Sequence, residues 1–157
     1  ISELSRELIA NSGELIWSHN PINDSLLKLF WYMREHLSGM FEGTSTLFTF
    51  LLPDQISDKP IQAEWRRNVF LVTKEALHNV LKHAHANHVE MKVLSKNNSL
   101  TIVIRDDGVG FEVNVKMNCG NGLGNMNKRI KACGGELKIE SNPGSGTLLT
   151  VIVPMPI

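Results

Sequence analysis

The sequence predicts an α+β fold, a two-layer sandwich in which helices cover one face of a mixed, mostly antiparallel sheet. Three stretches carry apolar residues at spacings of three and four, which is typical of helices with one apolar side. Four or five segments are rich in Thr, Val, Ile and Leu and alternate apolar with polar residues, as strands do. Short turns join the last strands in pairs, and such hairpins place antiparallel strands side by side.

Composition sets limits on what the chain can do. Its 157 residues are 42% hydrophobic, enough for one core. Lys and Arg number 16, as do Asp and Glu, so the overall charge does not indicate binding to nucleic acid or to an anionic membrane. No apolar run reaches the roughly 18 residues that cross a membrane. Cys119 and Cys133 lack the spacing of metal ligands, and we interpret both as ordinary thiols.

A first helix is predicted at the start of the chain. Its stripe repeats at three and four with one polar member, as Ile1, Leu4, Leu8, Asn11 and Leu15. Such a stripe fits a simple core helix, or a dimer helix in which one buried Asn fixes the register. Pro21 disfavours the helical conformation at Asn20, so we place a domain boundary between residues 1–20 and 21–157. Because the chain does not begin with Met, we expect it to be a piece of a longer protein.

A second helix and a strand follow. Asp24 is the expected N-cap of this helix. Its predicted core face comprises Leu26, Leu29, Phe30, Met33 and Leu37. Gly39 and Gly43 are expected to end the helix. The segment STLFTFLL, residues 45–52, is rich in β-forming residues and is predicted to be a strand that ends before Pro53.

The longest predicted helix covers residues 62–84. Its core face comprises Trp65, Val69, Val72, Ala76 and Val80. HVEMKVLSK and SLTIVIRD then form a predicted hairpin around an Asn-Asn turn at residues 97–98. Residues 108–124 are rich in glycine without a period, so we interpret them as a mobile loop that leads into a helix from about Leu123 to Cys133. ELKIES and TLLTVIVP complete the sheet as a second hairpin.

The longest helix also carries polar residues on a second face. Glu75 and Asn79 lie four residues apart and Lys82 follows one turn later, so a carboxylate, an amide and an ammonium form a short ridge. Carboxylate and amide oxygens suit Mg²⁺, which is often shared with phosphates, and a lysine can contact a phosphate oxygen. Glu75 can instead orient a water or accept a proton. The alternative interpretation is a solvent-exposed helix face with a Glu-to-Lys pairing.

Three histidines stand near the end of this helix, at His83, His85 and His88. Imidazole is a common zinc ligand. No cysteine or fourth ligand stands nearby, and histidines also complement the carbonyl end of a helix, so we expect no zinc site here. His78 and His85 are expected to face solvent.

Two glycine motifs carry further chemistry. In DDGVGF, residues 106–111, Asp106 ends a strand, and its carboxylate can accept from an exocyclic amine where glycines let another molecule approach. In GNGLGNM, residues 120–126, glycines open a helix whose N–H groups and dipole favour phosphate. Each motif alone is a weak signal. The order of the acid-and-amide helix, both motifs and GSGT at residues 144–147 does not arise readily by chance.

In this order the motifs resemble those of the GHKL nucleotide-binding superfamily, most closely the catalytic domain of sensor histidine kinases. KEALHNVLKHA is similar to the N box, DDGVG to the G1 box, GNGLGNM to the G2 box and PGSGT to the closing glycine-threonine motif. ELIWSHNPINDSLLKLFWYMREHL resembles the segment after the dimerisation helix in the HisKA_3-type subgroup, which includes hybrid receptors of Bacteroidetes. The resemblance implies a Bergerat-type ATP-binding fold, with residues 1–20 as the end of a dimerisation helix and its linker, and residues 21–157 as the catalytic domain.

The resemblance also implies roles for the residues that would hold the phosphates. Glu75 would be the catalytic residue that polarises the nucleophile near the γ-phosphate, and Asn79 would hold Mg²⁺ against the phosphates of ATP. Lys82 would contact a phosphate, and His83 would line the nucleotide pocket. The backbone amides that would bind the phosphates are those of Gly122, Leu123 and Gly124.

At the base of the nucleotide, Asp106 would bind the adenine amine, and Thr147 would support the adenine through Asp106 and water. Gly108 and Gly110 would leave room for the base and for movement of the ATP lid, at residues 111–121.

The implied reaction is transfer of the γ-phosphoryl group of Mg·ATP to a histidine on the dimerisation helix. None of the six histidines has the expected His-Asp context, so this chain is expected to bind ATP without phosphorylating itself.

The expected partners are the dimerisation helix with its acceptor histidine, a response-regulator receiver domain and a second copy in a homodimer. The chain is expected to belong to the cytoplasmic part of a membrane-anchored receptor. No nucleic acid is expected to bind. Asp107 departs from the Asn that the family often has, and its charge would weaken nucleotide binding.

Three alternatives stay open from the sequence. A degenerate domain could bind nucleotide without transferring phosphate. Another superfamily branch could apply, either a serine kinase acting on anti-sigma partners or an ATPase clamp. A clamp would need a transducer domain after the ATP site.

Overall fold

The computed structural model describes residues 2–118 and 120–156, so Ile1 of the predicted stripe and the thiol of Cys119 lie outside the described residues. The helices are α1 (Glu3–His19), α2 (Leu26–Gly39), α3 (Ala63–Asn79), α4 (Val113–Asn118) and α5 (Gly122–Ala132). The strands are β1 (Leu47–Leu51), β2 (His88–Lys96), β3 (Ser99–Asp106), β4 (Glu136–Ser141) and β5 (Thr147–Pro154). A 3-10 turn spans Pro21–Asn23, and a π-helical segment, Val80–Ala84, extends α3.

The five strands form one sheet in the order β1-β2-β3-β5-β4. β1 runs parallel to β2, whereas the other three pairings are antiparallel. The helices lie on one side of this sheet. The register of β3 and β5 sets Asp106 opposite Thr147, which brings two distant motifs together. The predicted α+β sandwich with a mixed, mostly antiparallel sheet is confirmed.

The core lies between the sheet and the apolar faces of α2 and α3. All five residues predicted for the α2 core face are buried, and so are all five predicted for the longest helix. The sheet contributes alternate residues from its central strands, as the period of two requires. They are Val89, Met91, Val93, Leu100, Ile102, Ile104, Leu149, Val151 and Val153.

The N-cap of α2 differs from the prediction at Asp24. The Ser25 hydroxyl accepts from the Lys28 N–H at 3.4 Å, and the Asp58 carboxylate accepts from the Leu27 N–H at 3.2 Å. Asp24 is instead held by the guanidinium of Arg66. A distant cation therefore takes the carboxylate away from the helix end, and a neighbouring hydroxyl replaces it.

α1 leaves its apolar side chains outside the core. The exposed fractions are 67%, 59%, 67%, 45% and 71% for Leu4, Leu8, Ile9, Leu15 and Ile16. The interpretation of this stripe as simple core is therefore wrong for the described residues, whereas the dimer-helix interpretation stays a prediction. Among residues 2–118 and 120–156, no helix is both long enough and apolar enough to span a bilayer.

Two segments differ in detail from the sequence prediction. The predicted helix over residues 62–84 is present, but its last five residues take the wider π-helical pattern, which ends at His85 in a left-handed conformation with φ 50°. Within the segment predicted to be a mobile loop, Val113–Asn118 forms a helix of six residues, and the Lys116 N–H donates to the Glu112 carbonyl at 3.1 Å. The glycines that suggested a loop lie outside these six residues, which explains the difference.

Candidate functional site

A cavity of about 430 Å³ opens between α3 with its π-helical extension, the paired ends of β3 and β5, and the start of α5. Nine of the eleven predicted site residues line it, namely Glu75, Asn79, Lys82, His83, Asp106, Gly110, Gly122, Leu123 and Thr147. Gly108 and Gly124 are not among the lining residues. The fold therefore gathers the polar ridge and both glycine motifs around one space.

One end of the cavity is apolar. Ile104, Met126 and Leu149 line it with exposed fractions of only 3%, 1% and 6%, and Ile139 is half-buried beside them. A flat aromatic ligand suits such a surface, because it leaves water and packs on apolar side chains. Motif reasoning missed these residues. For Ile104 and Leu149, the available signal was the alternation along β3 and β5 that marks inward-facing positions.

Asp106 lies at this apolar end and is almost fully buried, with 6% of its surface exposed. Its carboxylate accepts from the Gly108 N–H at 2.9 Å. Burial raises the pKa of this carboxyl and the Asp107 charge adds to the rise, while hydrogen bonds from the backbone of Gly108 and Thr147 lower it. A carboxylate so placed can accept a hydrogen bond from an amino group of a ring seated in the cavity.

Asp107 stabilises a neighbouring loop. Its carboxylate accepts from the backbone N–H groups of Asn87 and His88, both at 2.9 Å, between the π-helical segment and β2. Hydrogen bonds, that of His88 first, lower the pKa of Asp107, so it stays charged. The expected weakening of nucleotide binding stays a prediction, and the structure adds a reason for a carboxylate at this position.

The two glycines of the first motif allow segments of backbone to pack together. A Cβ on Gly108 would overlap the carbonyl oxygen of Ala84, and one on Gly110 would overlap that of Asn142. Gly110 also has φ +64°, a conformation that favours glycine. The Val109 N–H donates to the Ala84 carbonyl at 2.8 Å. The position of an added Cβ on each glycine is thus occupied by neighbouring backbone, and the expected room for the base and for movement of the lid stays a prediction.

The opposite end of the cavity is polar and lies at the start of α5. Glu75 and Asn79 reach it from α3, and the Glu75 carboxylate stands 3.1 Å from the point where a Gly122 Cβ would be. The Asn121 side chain makes no capping hydrogen bond to this helix. The first turn of α5 therefore keeps N–H groups that an anion can bind, with the favourable sign of the helix dipole.

Positive groups flank this polar end. Lys82 and Lys116 both line the cavity and are exposed to solvent. Partial burial lowers the pKa of His83, and the charges of Lys116, Lys82 and His78 lower it further, while Glu75 opposes them. Motif reasoning missed Lys116, although a basic residue inside the predicted lid was a usable signal. His78 is exposed, as expected, but it also lines the cavity.

Thr147 contributes through its backbone and through a small hydroxyl network. Its hydroxyl lies 3.0 Å from that of Ser141, which donates to the Gly146 carbonyl at 2.8 Å and accepts from the Phe111 N–H at 2.9 Å. Ser141 was not singled out in the sequence, where an isolated Ser before a turn carries no signal. The water-mediated role of Thr147 stays a prediction.

The histidines at the end of α3 are dispersed. His85 is exposed, and His88 Nε2 lies 2.8 Å from the Thr49 hydroxyl. In the described parts of the chain, no group of three His, Cys, Asp or Glu side chains is placed to hold a metal ion. Cys133 is half-buried, and burial raises the pKa of its thiol, which fits an ordinary unreactive cysteine.

Magnesium fits the donors at the polar end when a phosphate ligand shares it. The Asn79 amide oxygen is a hard donor on the cavity wall, and Mg²⁺ completes its shell with water and phosphate oxygens rather than with an all-protein cage. Within residues 2–118 and 120–156, no ion pair engages the Glu75 carboxylate. Its charge is therefore available beside the same space.

Curated relatives match part of this chain. "Signal transduction histidine-protein kinase/phosphatase DegS" of Brevibacillus brevis is 38% identical over 89 residues, which cover 57% of this chain and 22% of that protein. "Sensor protein VraS" of Staphylococcus aureus is 33% identical over 101 residues, which cover 64% of this chain and 29% of that protein. The chain thus spans less than a third of the length of these relatives.

Solved structures share the fold. The histidine kinase domain of the blue-light activated histidine kinase EL346 from Erythrobacter litoralis aligns with a TM-score of 0.67 at 23% identity, covering 81% of this chain and 61% of that one. The ATP binding domain of PrrB from Mycobacterium tuberculosis aligns with a TM-score of 0.62 at 21% identity, covering 79% and 90%.

A family profile completes these comparisons. The profile described as "Histidine kinase-, DNA gyrase B-, and HSP90-like ATPase" matches residues 66–157, more than half of the chain. The predicted superfamily is therefore confirmed, and use of ATP follows from it, while the HisKA_3-type subgroup stays a prediction. The chain belongs to the histidine kinase-, DNA gyrase B- and HSP90-like ATPases.

Proposed function

We propose that this chain is the ATP-binding catalytic part of a two-component sensor histidine kinase. The observation that carries the proposal is the arrangement of one cavity, with a buried carboxylate at its apolar end and a carboxylate and an amide beside a helix N-terminus at the other. This arrangement matches the two ends of ATP, a flat base with an amino group and a polyanion. Relatives named as histidine kinases and sensor proteins support the same assignment.

The proposed pose follows from the two ends of the cavity. The adenine ring lies among Ile104, Met126 and Leu149 and donates its amino group to Asp106. The phosphates extend to the first turn of α5, where the amides of Gly122, Leu123 and Gly124 donate to them. Lys82 offsets part of their charge, and His83 lines the pocket between the two ends.

The proposed chemistry is transfer of the γ-phosphoryl group to an imidazole. Such a transfer depends on positioning and on offsetting charge more than on covalent chemistry by the protein. Asn79 would hold Mg²⁺, which supplies charge neutralisation at the phosphates. Glu75, beside the start of α5, would orient the acceptor imidazole and hold its proton as the nucleophile attacks.

The acceptor and the partners lie beyond this chain. The exposed apolar face of α1, with Leu4, Leu8 and Ile16 each at least 59% exposed, supports residues 1–20 as the end of a dimerisation helix in a homodimer. We place the phosphorylated histidine on the preceding part of that helix. A response-regulator receiver domain is the partner that would next accept the phosphoryl group. The relatives named as sensor proteins support a receptor anchored in a membrane, with this part in the cytoplasm.

Calorimetric titration with Mg·ATP tests the binding half of the proposal. The 157-residue chain should bind, and Asn79→Ala should weaken binding by at least about tenfold, because metal-site substitutions commonly cost 10- to 100-fold. Asn11→Ala is the matched control, since Asn11 is an exposed helical asparagine that is not among the residues lining the cavity. Absence of binding to the unmodified chain, or equal effects of the two substitutions, would contradict the assignment.

Phosphoryl transfer requires the full-length protein. With [γ-³²P]ATP, the intact kinase should acquire acid-labile, base-stable label, and the isolated 157-residue chain should not. Binding of Mg·ATP without any label on the full-length protein would point to a nucleotide-binding module that does not transfer phosphate.

A further inference from the structure

Arg66 is a fully buried cation on α3, and its partners lie at the end of α1 and on the segment that joins α1 to α2. Its exposed fraction is 0%. The guanidinium donates to the Asp24 carboxylate and to the Ser18 carbonyl, and it lies 3.4 Å from the carbonyl oxygens of Trp17 and Asn20. An arginine with several donors in one plane suits such a set of oxygens. Arg66 therefore caps the carbonyl end of α1 from another helix.

An aromatic stack adds to this contact. The Trp17 ring lies between the Arg66 guanidinium, 5.0 Å from its centroid, and the Tyr32 ring, whose centroid is 3.7 Å away at an interplanar angle of 8°. Phe70 of α3 contacts the same pair from the side, at 5.9 and 5.0 Å. Cation-π and ring contacts of this kind are favourable when shielded from water. Trp17 is thus held between α2 and α3.

A second polar contact lies further along the same helices. Lys74 of α3 pairs with Glu14 of α1 at 2.6 Å. Arg66, Phe70 and Lys74 are spaced by four, so they form one stripe on α3. Because each residue turns an α-helix by about 100°, Glu75 lies about 180° around α3 from Arg66. One helix therefore touches α1 on one face and carries the proposed catalytic carboxylate on the opposite face.

These contacts attach α1 to α2 and α3. Its apolar side chains from Leu4 to Ile16 are largely exposed, so burial of that stripe does not hold it in place. The cation at the carbonyl end also has the favourable sign for the helix dipole. We propose that Arg66 is a positioning residue, which clamps α1 to α3 through Trp17 and thereby fixes where Glu75 stands relative to the helix that carries the acceptor histidine.

The expected effect on phosphoryl transfer rests on the proposed function, whereas the contacts that hold α1 on α3 belong to this chain. In phosphoryl transfer a misplacement of about 1 Å can cost roughly 100-fold in rate. Loosening the clamp should therefore lower the rate of transfer in the full-length kinase by about 10- to 100-fold. The affinity for Mg·ATP should stay within about threefold, because the cavity lies on the other face of α3.

Distance measurement between two spin labels tests the clamp directly. Labels at Glu7 on α1 and Lys92 on β2, both exposed, would be placed in a Cys119→Ser, Cys133→Ser background that keeps the circular dichroism spectrum of the parent chain. The parent chain should give one narrow distance distribution. Trp17→Ala and Arg66→Lys should broaden it at least about twofold, since the ring leaves the stack or the planar fork is lost.

Matched controls separate the clamp from general destabilisation. Trp31→Ala removes a tryptophan of α2 that is 68% exposed, and Arg67→Lys changes the neighbouring arginine. Both should keep the narrow distribution and the normal transfer rate. If Trp17→Ala does not fold by circular dichroism, Glu14→Gln, which cuts only the ion pair, should broaden the distribution to a smaller extent.

The outcomes distinguish failure of the clamp from failure of the proposed function. A distribution as narrow in Trp17→Ala and Arg66→Lys as in the parent, or as narrow in Arg66→Lys alone where Trp17→Ala does not fold, would overturn the clamp. So would a loss of transfer that follows an equal loss of Mg·ATP affinity. A chain that binds no Mg·ATP fails the proposed function, yet the distance distributions of the unsubstituted and substituted chains would still decide the clamp.

Discussion

The two charged faces of α3 are used in opposite ways. On the face toward the cavity, Glu75 and Asn79 are partly accessible, and no ion pair involves Glu75 within residues 2–118 and 120–156. On the face toward α1, Arg66 is fully buried against a carboxylate and backbone carbonyls, and Lys74 is paired with Glu14. The charged group on the cavity face is accessible to a ligand, whereas the charged groups on the face toward α1 are paired with other residues of the chain.

A helix presents reactive groups in a defined place only if other contacts fix its position. An accessible carboxylate contributes little to folding stability, whereas the loss of a partner from a buried, paired arginine strongly destabilises the fold. The clamp face should therefore respond to substitution through stability and geometry, and the cavity face through ligand binding and catalysis. Four predictions separate these responses.

Glu75→Gln should have the largest effect, on catalysis alone. The amide keeps the shape but cannot hold the proton of the attacking imidazole, so phosphoryl transfer by the full-length kinase should fall by about 100- to 10,000-fold. The affinity for Mg·ATP should stay within about threefold. Initial rates with [γ-³²P]ATP and calorimetry on the same preparation measure the two quantities.

The control for this substitution is Glu7→Gln, at an exposed glutamate of α1. It should leave both quantities unchanged. Equal losses of affinity and of transfer in Glu75→Gln would mean that the carboxylate serves binding, and an unchanged transfer rate would remove it from the chemistry.

Arg66→Met should have the next largest effect, on stability. Methionine fills similar space but leaves the Asp24 carboxylate and the carbonyl of Ser18 without their donor, and the cost is about 3 kcal/mol. Urea unfolding followed by circular dichroism measures the change in the free energy of unfolding. Arg6→Met, at an exposed helical arginine, should change it by less than about 0.5 kcal/mol. A similar small change in Arg66→Met would show that the clamp contributes no stability.

Gly108→Ala should have an intermediate effect, because Gly108 packs against the π-helical segment that forms part of the cavity wall. The added Cβ would overlap the Ala84 carbonyl at the end of the π-helical segment, and overpacking against backbone costs about 1–3 kcal/mol. Displacing that segment should also weaken Mg·ATP binding, since Lys82 and His83 belong to it. Calorimetry and urea unfolding measure both effects.

Gly13→Ala is the matched control among the glycines. Nothing lies within 4 Å of its Cβ position, and it is inside α1, where alanine favours the helix by up to about 1 kcal/mol. This substitution should leave binding intact and stability equal or higher. A Gly108→Ala chain that behaves like Gly13→Ala would mean that the two segments separate freely.

Local sequence patterns predicted the cavity face and the core well. Periodicity located the buried faces of α2 and α3, and the glycine motifs located the walls of the cavity, because each signal is confined to one helix or one turn. The same reasoning missed Ile104 and Leu149, since an apolar residue in a strand carries no mark of whether it faces a core or a ligand cavity.

The clamp face could not be predicted in this way. Arg66 meets Asp24 and Ser18 at separations of 42 and 48 residues, and charged side chains are rarely buried unless such distant partners converge. α1 shows a second limit of prediction from sequence. Its periodicity predicts a helix, but not which surface covers the apolar side of that helix. Both depend on tertiary packing, which pairs segments that have no common pattern in the sequence.

The smallest predicted effect concerns protons at the cavity face. Burial and then the charges of Lys116, Lys82 and His78 lower the pKa of His83 below its ordinary value of 6.5, so it is mostly neutral without ligand near neutral pH. Bound phosphates would favour the imidazolium and raise that pKa, so nucleotide binding should take up a proton. The affinity for Mg·ATP should therefore rise as the pH falls through the interval between the two pKa values, by only about threefold because the ring is largely solvated.

Calorimetry in buffers of different ionisation enthalpy measures this proton uptake. His83→Gln should abolish the uptake, while His85→Gln, at the exposed histidine two residues later, should not. Equal proton uptake in the parent and in His83→Gln would assign the proton to the phosphates themselves and would leave His83 with a role in shape alone.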